Sequence, residues 1–214
     1  MYESREPSDS LGTGRIYLGR EIPHVREHAE VAQWLDRPER DIAEFPDRLL
    51  SALELKPADV VADIGAGTGF YTFRIASLVP HGRVLAVDIQ PAMLQELRLR
   101  ATENGVRNID VIEGAEDDPR LPPNSVDLAL IVGSYHEFYH PYEMMVKIVE
   151  ALVPGGKVAL VEYRGEDDTL PLPAIHRLSE EQARKEMEFV GLKWAATKRE
   201  LPQQHLLIFE KPVP

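Results

Sequence analysis

The chain has 214 residues, and its 24 Lys and Arg against 36 Asp and Glu give a formal net charge of −12. So acidic a balance argues against nucleic acid or an anionic membrane as the main partner, because phosphate binding draws on Lys and Arg. There is no Cys, which excludes disulfides and thiolate metal sites within the chain. No apolar run approaches the roughly 20 residues of a membrane span. Residues 1–10 are polar and lack the hydrophobic core of a secretory signal, so a soluble, cytoplasmic protein is expected.

In chain order, residues 1–15 are polar with glycines at 12 and 14, and read as a loose arm. The spacing of apolar residues over 22–35 predicts a helix, Pro38 suggests the start of another, and a third follows Pro46 with Leu49, Leu50 and Leu53 on one face. A first strand is expected over 59–64. It runs into Gly65-Ala66-Gly67-Thr68-Gly69 and then a helix over 69–79 that stops at Pro80-His81-Gly82. A second strand over 83–88 leads to a helix beginning at Pro91 and ended by Gly105. Strands over 108–113 and 126–132 follow, the latter apolar enough to be buried on both faces. A helix from Pro141 stops at the turn Pro154-Gly155-Gly156, before a fifth strand over 157–163. Ser179 and Gln182 pair as a capping box for a helix to about residue 190. Strands over 192–198 and 205–209 then close the chain as an antiparallel pair.

Repeated strand–helix units predict an α/β fold: a mostly parallel, doubly wound sheet with helices on both faces and a helical extension before it. In such sheets ligands bind beyond the carboxyl ends of the strands. The residues just after each strand are therefore the candidates. The glycines at 65, 67 and 69 let backbone approach a ligand with no side chain between. Asp88 ends the second strand 19 positions after Gly69, where a carboxylate can accept hydrogen bonds from ribose hydroxyls. A helix-dipole acid is the plainer alternative for Asp88. Phe70 occupies the third-glycine position of G-x-G-x-x-G, so the dinucleotide fingerprint is not met.

An acidic residue followed by G-x-G-x-G resembles the first motif of the class I S-adenosylmethionine-dependent methyltransferases. Glu113-Gly114-Ala115-Glu116, Pro122-Pro123-Asn124-Ser125-Val126-Asp127 and Leu152-Val153-Pro154-Gly155-Gly156 resemble later marks of that family, in order. The resemblance covers residues 46–163. It implies seven strands with an antiparallel final one, a methyltransferase domain over 46–214, and an N-terminal arm and helical cap over 1–45. It also implies S-adenosylmethionine as cofactor. Carried over by position, Asp63, Gly65, Ala66 and Gly67 would line the methionine part, and Asp88 and Ile89 would meet ribose and adenine. Ala115 and Glu116 would edge the adenine, though Gly114 stands where many members have Asp. Val132 and Gly133 would lie near the sulfonium.

Two metal motifs compete. His136-Glu137-Phe138-Tyr139-His140 matches H-E-x-x-H, but Pro141 biases His140 away from the helical geometry that zinc chemistry needs. His24-Val25-Arg26-Glu27-His28 matches H-x-x-E-H without a third ligand. No metal site is therefore expected. Tyr135 and His136 follow the fourth strand, where the resemblance places the transferring methyl, and His136 is the candidate general base. The acceptor pocket is expected from Tyr17, Arg20, His24 and Trp34 on one side and Tyr163, Arg164 and His176 on the other. Arg20 or Arg164 could clamp a carboxylate, or pair with a nearby acid. Leu170-Pro171-Leu172-Pro173 reads as a stiff flap or a linker. The expected function is methyl transfer to a small molecule. A non-catalytic cofactor-binding module and a nicotinamide-dependent oxidoreductase are the rivals.

Overall fold

The computed structural model describes residues 1–8, 10–25, 35 and 37–213. Its first element corrects the loose-arm reading. Residues 2–23 form a three-stranded antiparallel sheet of β1 (Tyr2–Ser4), β2 (Gly12–Tyr17) and β3 (Arg20–Pro23). Tyr17 pairs with Arg20 across a two-residue turn in which Leu18 (φ 48°) and Gly19 (φ 99°) are both left-handed, the backbone a tight hairpin needs. Ile22 and Pro23, where a helix was predicted to begin, end β3 instead. The core of that predicted helix, residues 26–34, lies outside the described residues, as do Trp34 and most of the H-x-x-E-H motif.

Helix α1 (Arg40–Glu44) begins two residues after Pro38 and is separated from α2 (Pro46–Leu53) by left-handed Phe45 (φ 48°). Then come β4 (Val60–Ile64), α3 (Phe70–Leu78), β5 (Arg83–Asp88), α4 (Pro91–Glu103), β6 (Ile109–Glu113) and β7 (Val126–Val132). The chain ends with α5 (Pro141–Ala151), β8 (Leu152–Tyr163), α6 (Glu180–Phe189), β9 (Lys193–Lys198) and β10 (Gln204–Glu210). Seven strands form one sheet in the order β6-β5-β4-β7-β8-β10-β9, with β10 antiparallel to both its neighbours. One boundary differs from expectation. Leu152 already pairs with Val126, and the next pair is Leu128 with Lys157, so Pro154-Gly155-Gly156 is an outward excursion within β8 rather than a turn before it.

Alternate residues of the central strands feed two cores. Val61, Leu128 and Leu130 pack with Leu49, Leu53 and Ile75 of α2 and α3. Ala62, Ile64 and Ile131 pack with Met145, Ile148 and Met187 of α5 and α6. Burying each large side chain of this kind contributes about 1.5–3 kcal/mol. Strand β4 pairs with β5 on one side and β7 on the other, so the connections leaving β4 and β7 diverge and open a crevice at their carboxyl ends. Among the described residues no helix is long and apolar enough to cross a membrane.

Candidate functional site

The first cavity in that crevice is built largely by backbone. Gly65 and Ala66 donate their N–H groups to the Val87 carbonyl at 2.8 and 3.0 Å, which ties the glycine turn to the end of β5. Gly65 (φ 76°) is left-handed, and a Cβ there would lie 2.7 Å from Ser134 Oγ, so the position demands glycine twice over. Asp88 Oδ2 accepts the Gly67 N–H at 2.8 Å and Oδ1 accepts the Gln90 N–H at 2.9 Å. The carboxylate is thus aimed by two backbone donors from the turns after β4 and β5. Gly65, Gly67, Asp88, Ile89, Glu116, Val132 and Gly133 line this cavity, as the sequence placed them. Three expected residues do not line it. Asp63 lies behind the turn, accepts the Thr72 hydroxyl at 2.6 Å, and is pushed up to about 6 by burial against that hydrogen bond. Ala66 is packed against Ala86 and Leu97, and the Ala115 N–H is taken by the Asp118 carbonyl.

Met93 and Met144 form part of the cavity wall, and so do Ser134, Phe138 and Tyr139. Their place directly after β7 was the available signal for the last three. The residues fit an adenosyl group: a side-chain-free turn, a carboxylate aimed by two backbone donors, and an apolar flank from Ile89 and Met93. Gly133 (φ 59°) has nothing within 4 Å of a hypothetical Cβ, so the wall beside it is open.

A second cavity adjoins the first and shares Leu35, Val132, Gly133 and Glu137 with it. It is built by side chains from distant segments: Arg40 and Glu44 of α1, His136 and Glu137 of a 3₁₀ turn (Tyr135–Glu137), Tyr163, His176 and Gln204. Pro171, Leu172 and Pro173 form part of its wall, in the position expected of a flap. His136 is held at both of its ring nitrogens. Its Nδ1 is 2.8 Å from Glu162 Oε2, its backbone N–H donates to Glu162 Oε1 at 3.2 Å, and its Nε2 lies 3.2 Å from His176 Nδ1. Burial pushes the His136 pKa down, but the Glu162 and Glu137 carboxylates outweigh it, and the net direction is up. With Nδ1–H directed at Glu162, the neutral ring presents a lone pair at Nε2.

The remaining candidates serve as struts. The Arg20 guanidinium makes paired bonds to Glu186 at 2.8 and 3.0 Å and donates to the His136 carbonyl at 2.8 Å. Tyr135 is fully buried, donates to Glu186 Oε2 at 2.6 Å, and lines neither cavity. Arg164 donates to the Leu201 and Gln204 carbonyls and so pins the loop before β10. Tyr17 is buried beside Tyr2 at a ring distance of 5.2 Å, and its hydroxyl has no partner among the described residues. His24 is exposed at the end of β3 and lines neither cavity. In the H-E-x-x-H motif, α5 starts only at Pro141, and His140 Nε2 faces Glu116 Oε2 at 3.9 Å, away from His136.

Comparison with known proteins agrees with this geometry. Residues 61–156 match the model of a methyltransferase domain. A methyltransferase-like protein of Schizosaccharomyces pombe is 32% identical over 160 residues, 74% of this chain and 59% of that one. The aklanonic acid methyltransferase of Streptomyces sp. strain C5 is 35% identical over 115 residues, 52% of this chain and 51% of that one. The chain therefore spans only half to three-fifths of the length of these relatives. The crystal structure of an S-adenosylmethionine-dependent methyltransferase from Aquifex aeolicus superposes with a TM-score of 0.81 at 22% identity, covering 87% of this chain and all of that one. The chain carries a methyltransferase domain, and its sheet has the fold of S-adenosylmethionine-dependent methyltransferases.

Proposed function

We propose that this protein transfers a methyl group from S-adenosylmethionine to a small molecule held in the second cavity. The observation that carries this is the shared wall: Val132, Gly133 and Glu137 border both the backbone-built cavity and the side-chain-built one. S-adenosylmethionine, when bound, supplies a methyl carbon already activated by its sulfonium. The protein's own contribution is alignment, which can be worth about 7–11 kcal/mol. Gly65 and Gly67 leave room for the methionine part, and the Asp88 carboxylate, aimed by the Gly67 and Gln90 N–H groups, is assigned to the ribose hydroxyls. Ile89 and Glu116 flank the adenine. On the acceptor side His136 is aimed by Glu162, and its Nε2 lone pair is assigned to the acceptor's reacting group.

Residues 46–214 are assigned to the catalytic unit and residues 1–45 to a cap. In support, Arg20 on β3 holds the 3₁₀ turn bearing His136, and Leu35, Arg40 and Glu44 line the acceptor cavity. The net charge favours a small acceptor over a nucleic acid. The test is transfer from methyl-labelled S-adenosylmethionine to mixed small-molecule extracts, protein and RNA offered side by side. Label in a small molecule is expected. Label confined to protein or RNA would overturn the acceptor class, and no transfer to any fraction would leave a binding module in place of an enzyme.

A further inference from the structure

The side chains around His136 form a donor set that the alignment of a methyl group does not require. His136 Nε2 and His176 Nδ1 are 3.2 Å apart, and Glu137 Oε1 lies 3.7 Å from the first and 3.6 Å from the second. Donor atoms around a tetrahedral ion with bonds of about 2.1 Å are separated by about 3.4 Å, so the three observed separations match within about 0.3 Å. Two imidazoles and one carboxylate gathered at one point are the ligand set of many divalent transition-metal sites. All three residues line the acceptor cavity.

The surroundings supply what such a site needs. Both oxygens of the fully buried Glu162 engage His136, one at the ring Nδ1 and one at the backbone N–H. A carboxylate behind a ligating imidazole fixes the ring and directs Nε2 to the ion. Two carboxylates, Glu137 and Glu162, approach the one imidazole pair, and a dication would balance them. A hydrogen bond between two histidines alone would not require a carboxylate oxygen nearly equidistant from both nitrogens.

We propose that His136 Nε2, His176 Nδ1 and Glu137 bind a divalent transition-metal ion, Zn²⁺ or a close neighbour, in the acceptor cavity. The site rests on the acceptor-cavity reading above and replaces direct proton acceptance by His136 with activation through the ion. It selects acceptors that offer a hydroxyl or carboxylate oxygen to an open coordination position. The H-E-x-x-H motif contributes its first two residues, and the third ligand is His176 rather than His140.

The full chain, purified without a polyhistidine tag and stripped with a chelator, is titrated with Co²⁺ followed by visible absorption, then with Zn²⁺ in competition. One Co²⁺ per chain, displaced by Zn²⁺, is expected, with ligand-field bands of a four- or five-coordinate site. His176→Ala should weaken binding about 100-fold or more, Glu162→Gln about 10–100-fold, and His140→Ala not at all. Each protein is also titrated with S-adenosylhomocysteine. Retained binding shows that the fold and the first cavity survive, so metal loss reports on this site alone. Should His176→Ala fail to fold, the wild-type chain decides: Zn²⁺ must shift the imidazole resonances of His136 and His176 and leave those of His140. A wild-type chain that binds S-adenosylhomocysteine but takes up no Co²⁺ overturns the proposal, as does Co²⁺ binding that survives His176→Ala.

Discussion

The two cavities meet at Gly133 but are made by different means. The first owes most to backbone: left-handed glycines, strand ends, and a carboxylate gripped by two N–H groups, with most of its wall within residues 63–133. The second is a product of side chains that converge from α1, the turn after β7, the end of β8 and the segment before α6. Backbone geometry tolerates almost no substitution at a few positions, whereas a side-chain chamber can be re-equipped residue by residue on the same sheet. On the proposed reading the first cavity sets the cofactor and the second sets the acceptor.

The sharpest way to break this division is Gly65→Val. A β-branched residue at φ 76° is strained, and its Cβ would collide with Ser134. Affinity for S-adenosylhomocysteine should fall about 1,000-fold by calorimetry, since strain and overpacking each cost roughly 1–3 kcal/mol. Arg20→Ala attacks the other side. It leaves Glu186 buried without its guanidinium partner and should lower stability by about 3 kcal/mol or more, read from chemical denaturation. Activity should fall with it, because Arg20 also holds the His136 carbonyl.

Asp63 tests the scaffold behind the first cavity. Burial lifts its folded pKa to about 6 from an ordinary 3.8. Between those values the native state keeps a proton that the unfolded chain has lost, so this group's contribution falls as pH rises through the window and is level above it. Asp63→Asn removes that slope. Relative to wild type the variant should gain on the order of 3 kcal/mol between about pH 3.8 and pH 6. An unchanged difference across that window would show that Asp63 is not desolvated. Asp88→Ala is the smallest of the four. Loss of hydrogen bonds to a charged acceptor should weaken S-adenosylhomocysteine about 100-fold and leave the Arg20–Glu186 strut untouched. An unaltered affinity would move the ribose elsewhere.

The same division explains what could be read from the sequence. Glycine spacing and strand ends are local, so the mostly parallel sheet with its antiparallel final strand, and the place of Asp88, Ile89, Glu116 and Gly133 along one crevice, were legible. Asp63 sat in the right motif, but the pleat of β4 turns its side chain away from the cavity and toward Thr72. Arg20 and Arg164 look alike in sequence as carboxylate clamps, and only packing shows that both brace loops. His176 was named for the acceptor side, yet its contact with His136 joins two 3₁₀ turns whose residues are 40 apart in the chain. The β1–β3 sheet was missed because Leu18-Gly19 is a weak hairpin signal and Ile22 and Pro23 carry no strand pattern of their own.

The central claim is that the glycine turn and Asp88 form a site for the adenosyl cofactor. Its most direct test is a calorimetric titration of the wild-type chain with S-adenosylhomocysteine, with NAD as the control ligand. Saturable binding at a single site, with none for NAD, is the predicted result. No binding at millimolar S-adenosylhomocysteine, or binding of NAD in its place, would contradict it.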